Sequence, residues 1–274
     1  MKLWVAILIS ITVVLALIIP ASTLAGPSED FHEKDGQVFD VWDVCRTRGF
    51  GQDGFFQVLS ETEFRPVIAF ESLEDRADQA YQLGKEFAGD YPSLPQRAEK
   101  IFAFARDKIR YTPDTDQFGF QEFAQNADEV AATIKQKGFA RGDCEDYAIL
   151  LAVMYKGAGC RSALVLAPDH AATLVYLPGY RNANRSLSLN GESGWVWAEA
   201  TAGNNHLGWM PERYMGAQLL AYEITEEPLT LLQPSDGSNV AVVQASAGGA
   251  GFLIAPFFSV IALMWLLSLF RRRR

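Results

Sequence analysis

Two apolar runs bracket the chain. Residues Leu3 to Ile19 are apolar or small throughout, and Gly251 to Phe270 form a second run that abuts Arg271–Arg274. Twenty helical residues reach about 30 Å, the thickness of a bilayer hydrocarbon core. The second run therefore predicts a transmembrane helix over 251–270, with the basic tail 271–274 on the cytoplasmic side. The first run, followed by Pro20 and small residues up to Ala25, reads either as a signal peptide or as an uncleaved N-terminal anchor over residues 1–25. Both readings place the region between the runs outside the cytoplasm.

Between the ends the pattern changes to short amphipathic periods. Leu73, Ala77, Ala80, Leu83 and Phe87 predict a helix over 73–90. Ala98, Ile101, Phe102, Ala105 and Ile109 follow the helical stripe over 94–110, with Pro95 suited to a first turn. Another helix is expected over 127–137, ending at Gly138. The segment 143–156 is apolar on every side, which predicts a buried helix capped by Asp143 and terminated by Gly157 and Gly159. Residues 161–167, 171–177 and 194–200 are short β-rich runs. Residues 27–72 read as short strands and loops, and the Ser-, Gly- and Ala-rich stretch near 233–250 as a flexible stalk. The expected layout is an N-terminal extension with a helix over 26–94, a core over 95–226, a stalk over 227–250, and then the membrane helix.

Composition narrows the class. The chain has 274 residues, 49% of them hydrophobic, with a net charge of −9. Lys2 and the four terminal arginines contribute five of the positive charges, so the middle is more acidic still. An acidic domain is a poor partner for phosphate backbones, and nucleic-acid binding is not expected. The three cysteines are Cys45, Cys144 and Cys160. In an oxidising location, one arrangement pairs Cys45 with Cys160 in a disulfide and leaves Cys144 free. Asn184-Arg185-Ser186 forms a glycosylation sequon.

The candidate chemistry lies in three places. Cys144, in Gly142-Asp143-Cys144-Glu145-Asp146-Tyr147-Ala148, starts the buried helix, where backbone N–H groups favour a thiolate. His170 opens a strand-like run, positioned to take and return a proton. Glu199 shares a strand face with Trp195 and Trp197, where a carboxylate needs a partner such as an imidazolium. The competing reading of Cys144 is a buried structural thiol. His32 and His206 are the other two histidines, one in the irregular N-terminal segment and one in a turn. With scattered histidines and no Cys-x-x-Cys pair, no metal site is expected, and no cofactor is implied. Phosphate-loop and Gly-x-Ser-x-Gly motifs are absent from the sequence.

Gly142 to Ala148, Gly157 to Ala163, Asp169-His170-Ala171 and Trp195 to Thr201, in that order and spacing, resemble the transglutaminase-like superfamily of cysteine enzymes, in a membrane-anchored prokaryotic form. The resemblance implies an α+β fold, papain-like in its core, with a central helix packed on an antiparallel sheet. It implies Cys144 as nucleophile, His170 as general base and acid, and Glu199 as the group that orients the imidazole, where the family usually has Asp. It implies Tyr111 as an aromatic helping to hold the oxyanion. The expected function is hydrolysis of peptide, isopeptide or amide bonds through a thioester, on a protein or cell-envelope polymer substrate beside the membrane. Transamidation and a non-catalytic binding or assembly module are the alternatives.

Overall fold

The computed structural model describes residues 30–60, 63–73, 79–201, 203–225 and 240–245. Both terminal apolar runs lie outside these residues. Among the described residues, no helix is long and apolar enough to cross a membrane.

The molecule is a mixed α/β structure. Strands β1 (His32–Lys34), β2 (Gln37–Phe39), β3 (Cys45–Gly51), β4 (Gly54–Ser60) and β5 (Glu63–Arg65) form an N-terminal sheet in that order. Its pairs are antiparallel except β3 with β4. Helices α1 (Val67–Glu71), α2 (Ala80–Asp90) and α3 (Leu94–Lys108) follow. Strand β6 (Ile109–Tyr111) then pairs in parallel with β7 (Ala140–Gly142), bracketing α4 (Asp114–Gln117) and α5 (Ala127–Lys137). Helix α6 (Cys144–Gly157) leads into a closed antiparallel barrel. The barrel order is β10 (Leu187–Leu189), β11 (Glu192–Ala198), β9 (His170–Tyr176), β8 (Ser162–Ala167), β12 (Leu219–Glu223) and β13 (Val240–Ala245), with α7 (Glu212–Met215) between β11 and β12.

Alternation along the barrel strands builds two cores. Ala172, Leu174, Trp195 and Trp197 point inward with Val165, Leu187 and Tyr214. Ala171, Val175, Val196 and Leu164 point outward onto α6. This is the period-two division expected of strands covered on both faces. Helix α6 is buried around nearly its whole circumference, as its uniformly apolar composition predicts. Two hydroxyls tie it to the barrel: Thr173 donates to the Ala148 carbonyl and Ser162 to the Ala152 carbonyl, each at 2.7 Å.

Several expectations are corrected. The helix expected over 73–90 is described from Ala80, residues 74–78 lying outside the described set. Gly157 ends α6 but also serves packing: a Cβ there would overlap the Tyr81 carbonyl, and one on Gly84 would overlap the Met154 carbonyl. Helices α2 and α6 thus meet backbone to backbone, and the left-handed residue after α6 is Gly159. The segment read as a stalk contains β13, which closes the barrel by pairing with β12 and β10. Val240, Val242 and Val243 are the β-branched strand signal that the surrounding Gly and Ser obscured. The segment read as short strands and loops holds β1 to β5, and Val44, Phe55, Phe64 and Phe70 join the α6 core. His32 lies in β1.

Candidate active site

Three elements bring the predicted residues together. Cys144 is the first residue of α6, His170 the first of β9, and Glu199 directly follows β11. Strand β9 lies between β8 and β11. A turn with Asp169 at φ +53° returns the chain from β8 into His170. His170 and Glu199 both lie in the inward-facing registers of their strands, so they meet at one end of the barrel.

His170 Nε2 stands 3.1 Å from Glu199 Oε1, and both side chains are almost fully buried. The approach is oblique, since Nε2 makes no well-aligned hydrogen bond. The carboxylate is held by its own neighbours. Trp197 Nε1 donates to Glu199 Oε2 at 3.1 Å, and Thr201 Oγ1 donates to Oε1 at 2.9 Å. The Asn205 amide donates to the Glu199 carbonyl. On its other side the imidazole lies against Tyr214, ring centroids 5.4 Å apart and planes 5° from parallel. The Arg213 guanidinium lies over the Tyr214 ring, 4.6 Å from its centroid.

Electrostatics follow from this packing. Burial pulls the His170 pKa down, but hydrogen bonding and charge from Cys144 and Glu199 outweigh it and push the pKa up to about 9. Burial raises the Glu199 carboxyl, yet His170, Thr201 and Trp197 bring it below its ordinary value. An imidazolium and a carboxylate are therefore the stable forms of this pair at neutral pH.

The thiol has a second neighbour. Cys144 Sγ donates to Glu145 Oε2 at 3.2 Å. Burial, with help from Cys144, Asp143 and Asp146, pushes Glu145 well above the usual carboxylate range. Burial and Asp143 push Asp114 up to about 7. Asp143 and Asp146 are raised as well, chiefly by burial. Asp146 also braces the helix start: its oxygens accept from the Gln125 backbone and side-chain amides, both at 2.8 Å, and from the Asp143 N–H at 3.3 Å.

Tyr111 ends β6 in register with Gly142, two residues before the thiol. Its ring is more than half exposed, and burial of its hydroxyl with the nearby Cys144, Asp143 and Glu145 charges raises its pKa. The other histidines lie elsewhere. His32 pairs with Asp43 at 3.7 Å, and His206 Nε2 faces the Asn182 carbonyl at 3.3 Å. A cavity of about 530 Å³ lies beside His206, lined also by Glu99, Arg106 and Tyr180, and none of the Cys144, His170 and Glu199 side chains lines it.

One sequence expectation fails here. Cys45 and Cys160 form no disulfide; both are buried free thiols. Cys45 sits in β3 beside Gln37 and Thr47, whereas Cys160 follows α6, where burial pushes its thiol up to about 11 despite the nearby Arg97. The sequon asparagine is engaged as well. Asn184 Nδ2 donates to the Met210 carbonyl and its Oδ1 accepts from the Met210 N–H, both at 2.9 Å.

Sequence reasoning missed Tyr214, Thr201 and Asp114. Thr201 had a weak signal, two residues from Glu199. Tyr214 and Asp114 reach the site only through the tertiary fold.

The family model of the transglutaminase-like superfamily matches residues 81–212, from the second residue of α2 to the first of α7, and encloses Cys144, His170 and Glu199. No curated protein matches the chain. The chain thus carries a domain of the transglutaminase-like superfamily at residues 81–212, built around the α6 helix and the β8–β9–β11 strands that hold these three residues.

Proposed function

We propose that this chain is a cysteine hydrolase that cleaves peptide, isopeptide or amide bonds, held at a membrane by its apolar C-terminal run with the catalytic domain outside the cytoplasm. The observation that carries the reading is the His170–Glu199 pair, 3.1 Å apart beside the Cys144 thiol, with the imidazole pKa raised to about 9 by those two neighbours. A cationic ring next to the sulfur stabilises the thiolate, the attacking form.

In this reading the Cys144 thiolate adds to the substrate carbonyl and the C=O electrons move onto oxygen. Nε2 faces Glu199, which leaves Nδ1 of His170 for the proton traffic. The imidazolium gives its proton to the leaving nitrogen as the C–N bond breaks, and a thioester remains. Neutral His170 then takes a proton from water, the hydroxide adds to the thioester, and the carboxylic acid leaves as the thiolate and imidazolium re-form. Glu199 stays ionised and orients the ring. The Cys144 backbone N–H and the Tyr111 hydroxyl are the oxyanion donors of this scheme.

The test is product analysis. The purified chain is incubated with extracellular protein or envelope polymer, with and without a primary amine. New free amino groups, absent with Cys144→Ala, support hydrolysis. Covalent capture of the amine with no new carboxyl ends points to transamidation, and no product of either kind points to a non-catalytic module.

A further inference from the structure

The register of the barrel fixes the direction in which the chain leaves it. Leu220, near the start of β12, pairs with Leu166 of β8, and Leu166 pairs with Ala171, the neighbour of His170. The start of β12 therefore lies at the His170 end of the barrel. Strand β13 runs antiparallel to β12, with Val240 opposite Tyr222 and Val243 opposite Leu219. It thus runs toward that same end. The other edge of β13 agrees. Gln244 and Ala245 pair with Ser188 and Leu187 of β10, and Leu187 pairs with Trp195 of β11. Continuing past Ala245 moves along β11 in the direction of Ala198 and Glu199. The chain leaves β13 toward the rim that holds the His170–Glu199 pair, with Cys144 beside it. The β10–β11 turn at Asn190 and Gly191 lies at the opposite rim.

That exit is close to the apolar run. Five residues, 246–250, separate Ala245 from the run over 251–270. Even fully extended, this connection reaches only about 20 Å. Trp209 stands on the same rim, in the loop between Glu199 and α7. Gly208, just before it, donates its N–H to the carbonyl of Trp197 near the end of β11, at 2.8 Å. The Trp209 side chain is 38% exposed, and an indole favours the boundary between water and lipid. Charge works the other way. The chain carries a net charge of −9, and five of its positive charges sit in the two terminal segments, so the domain between them is repelled by anionic headgroups. A short tether, and not adhesion to lipid, sets its distance from the bilayer.

We propose that the rim carrying Cys144, His170 and Glu199 is turned toward the bilayer, and that its substrate is the extracytoplasmic juxtamembrane segment of another membrane-anchored protein. The proposal rests on the reading of 251–270 as a membrane span and of Cys144 as a nucleophile. A flexible segment of about 15 residues covers about 20 Å, the reach of the tether. A chain anchored in the same bilayer meets the rim at high effective concentration. A soluble protein or a bulky polymer has to enter the narrow gap between the rim and the lipid first.

The full chain is reconstituted in phosphatidylcholine vesicles and exposed to maleimide carried on a lipid headgroup by a spacer of about 20 Å, with soluble maleimide as the reference. A second chain carries a flexible Gly-Ser insert of about 30 residues between Gly248 and Gly249. Labelling is read by peptide mass, and Cys45 and Cys160 are buried. The expected result is that the lipid-borne reagent labels Cys144, that the insert slows this labelling by about threefold or more, and that soluble maleimide labels both chains equally. Labelling by soluble maleimide alone, or an insert without effect, turns the rim away from the lipid and overturns the proposal. In native membranes, amino groups formed by the wild type and absent with Cys144→Ala should map within about 15 residues of apolar spans. Cuts spread over soluble proteins overturn the substrate assignment and leave the hydrolase reading standing. Two other results overturn the proposal together with its premises: no new amino groups in either fraction removes the hydrolase, and release of the chain from vesicles by alkaline carbonate removes the membrane span.

Discussion

Glu199 reaches His170 although its side chain is one methylene longer than the Asp expected at this place. The extra length is taken up sideways: Trp197 and Thr201 hold the carboxylate, and it meets the ring obliquely at 3.1 Å. Glu199→Gln keeps the size and removes the charge. With one fewer anion beside it the imidazolium is less stable, so the His170 pKa falls from about 9. The alkaline limb of the pH profile for hydrolysis or for Cys144 alkylation should move to lower pH, and an unmoved limb would separate Glu199 from His170. Cys144, His170 and Glu199 were legible in the sequence because each stands at the edge of a strongly patterned element. The surroundings were not: Tyr214 against the imidazole and Asp114 in the acid cluster come from segments whose local pattern says nothing about where they dock. Acids scattered over 114–146 look like a solvated surface until the fold gathers them.

Helix α6 is the element on which the site depends, and its placement relies on two glycines. Gly84 and Gly157 let α2 and α6 approach until a Cβ on either would strike a carbonyl of the other helix. Gly157→Ala should therefore destabilise by about 1–3 kcal/mol through overpacking, despite the better helix propensity of Ala. Chemical denaturation measures this, and a neutral or stabilising result would show that the two helices can separate freely. The α6 boundaries followed from its uniform apolarity and its Asp143 cap, and α5 was read correctly to both ends, where the Asn126–Glu129 capping box and Gly138 at φ +82° set them. Strand β13 was hidden because three valines in a stretch rich in Gly, Ser and Ala carry little local signal, and its pairing with β10 and β12 is a long-range fact.

At the scale of the whole molecule, a buried arginine links the N-terminal sheet to the site. Arg46, fully buried in β3, binds Asp40, Glu71 at 2.7 Å and Glu129 at 3.1 Å, and donates to the Ala124 carbonyl at 3.0 Å. Gln125 follows and grips Asp146 at the start of α6. Arg46→Met leaves Glu71, Asp40 and Glu129 without their cation and should cost about 3–5 kcal/mol. It should also raise the exposure of the α6 start to hydrogen exchange more than that of β11, and a loss spread evenly over the molecule would argue against the link. The N-terminal sheet is therefore part of what holds the thiol in place. From the sequence this segment read only as an irregular extension, since nothing local announces that Arg46 is buried.

The most direct test of the account is the rate of Cys144 alkylation at pH 7, followed by peptide mass against Cys45 and Cys160, in the wild type and in His170→Ala. The account predicts that Cys144 reacts first among the three thiols and that His170→Ala slows it by roughly tenfold or more, toward the reactivity of an ordinary thiol. Equal rates in the two proteins would contradict it, and Cys144 would then be a structural thiol at the head of a buried helix.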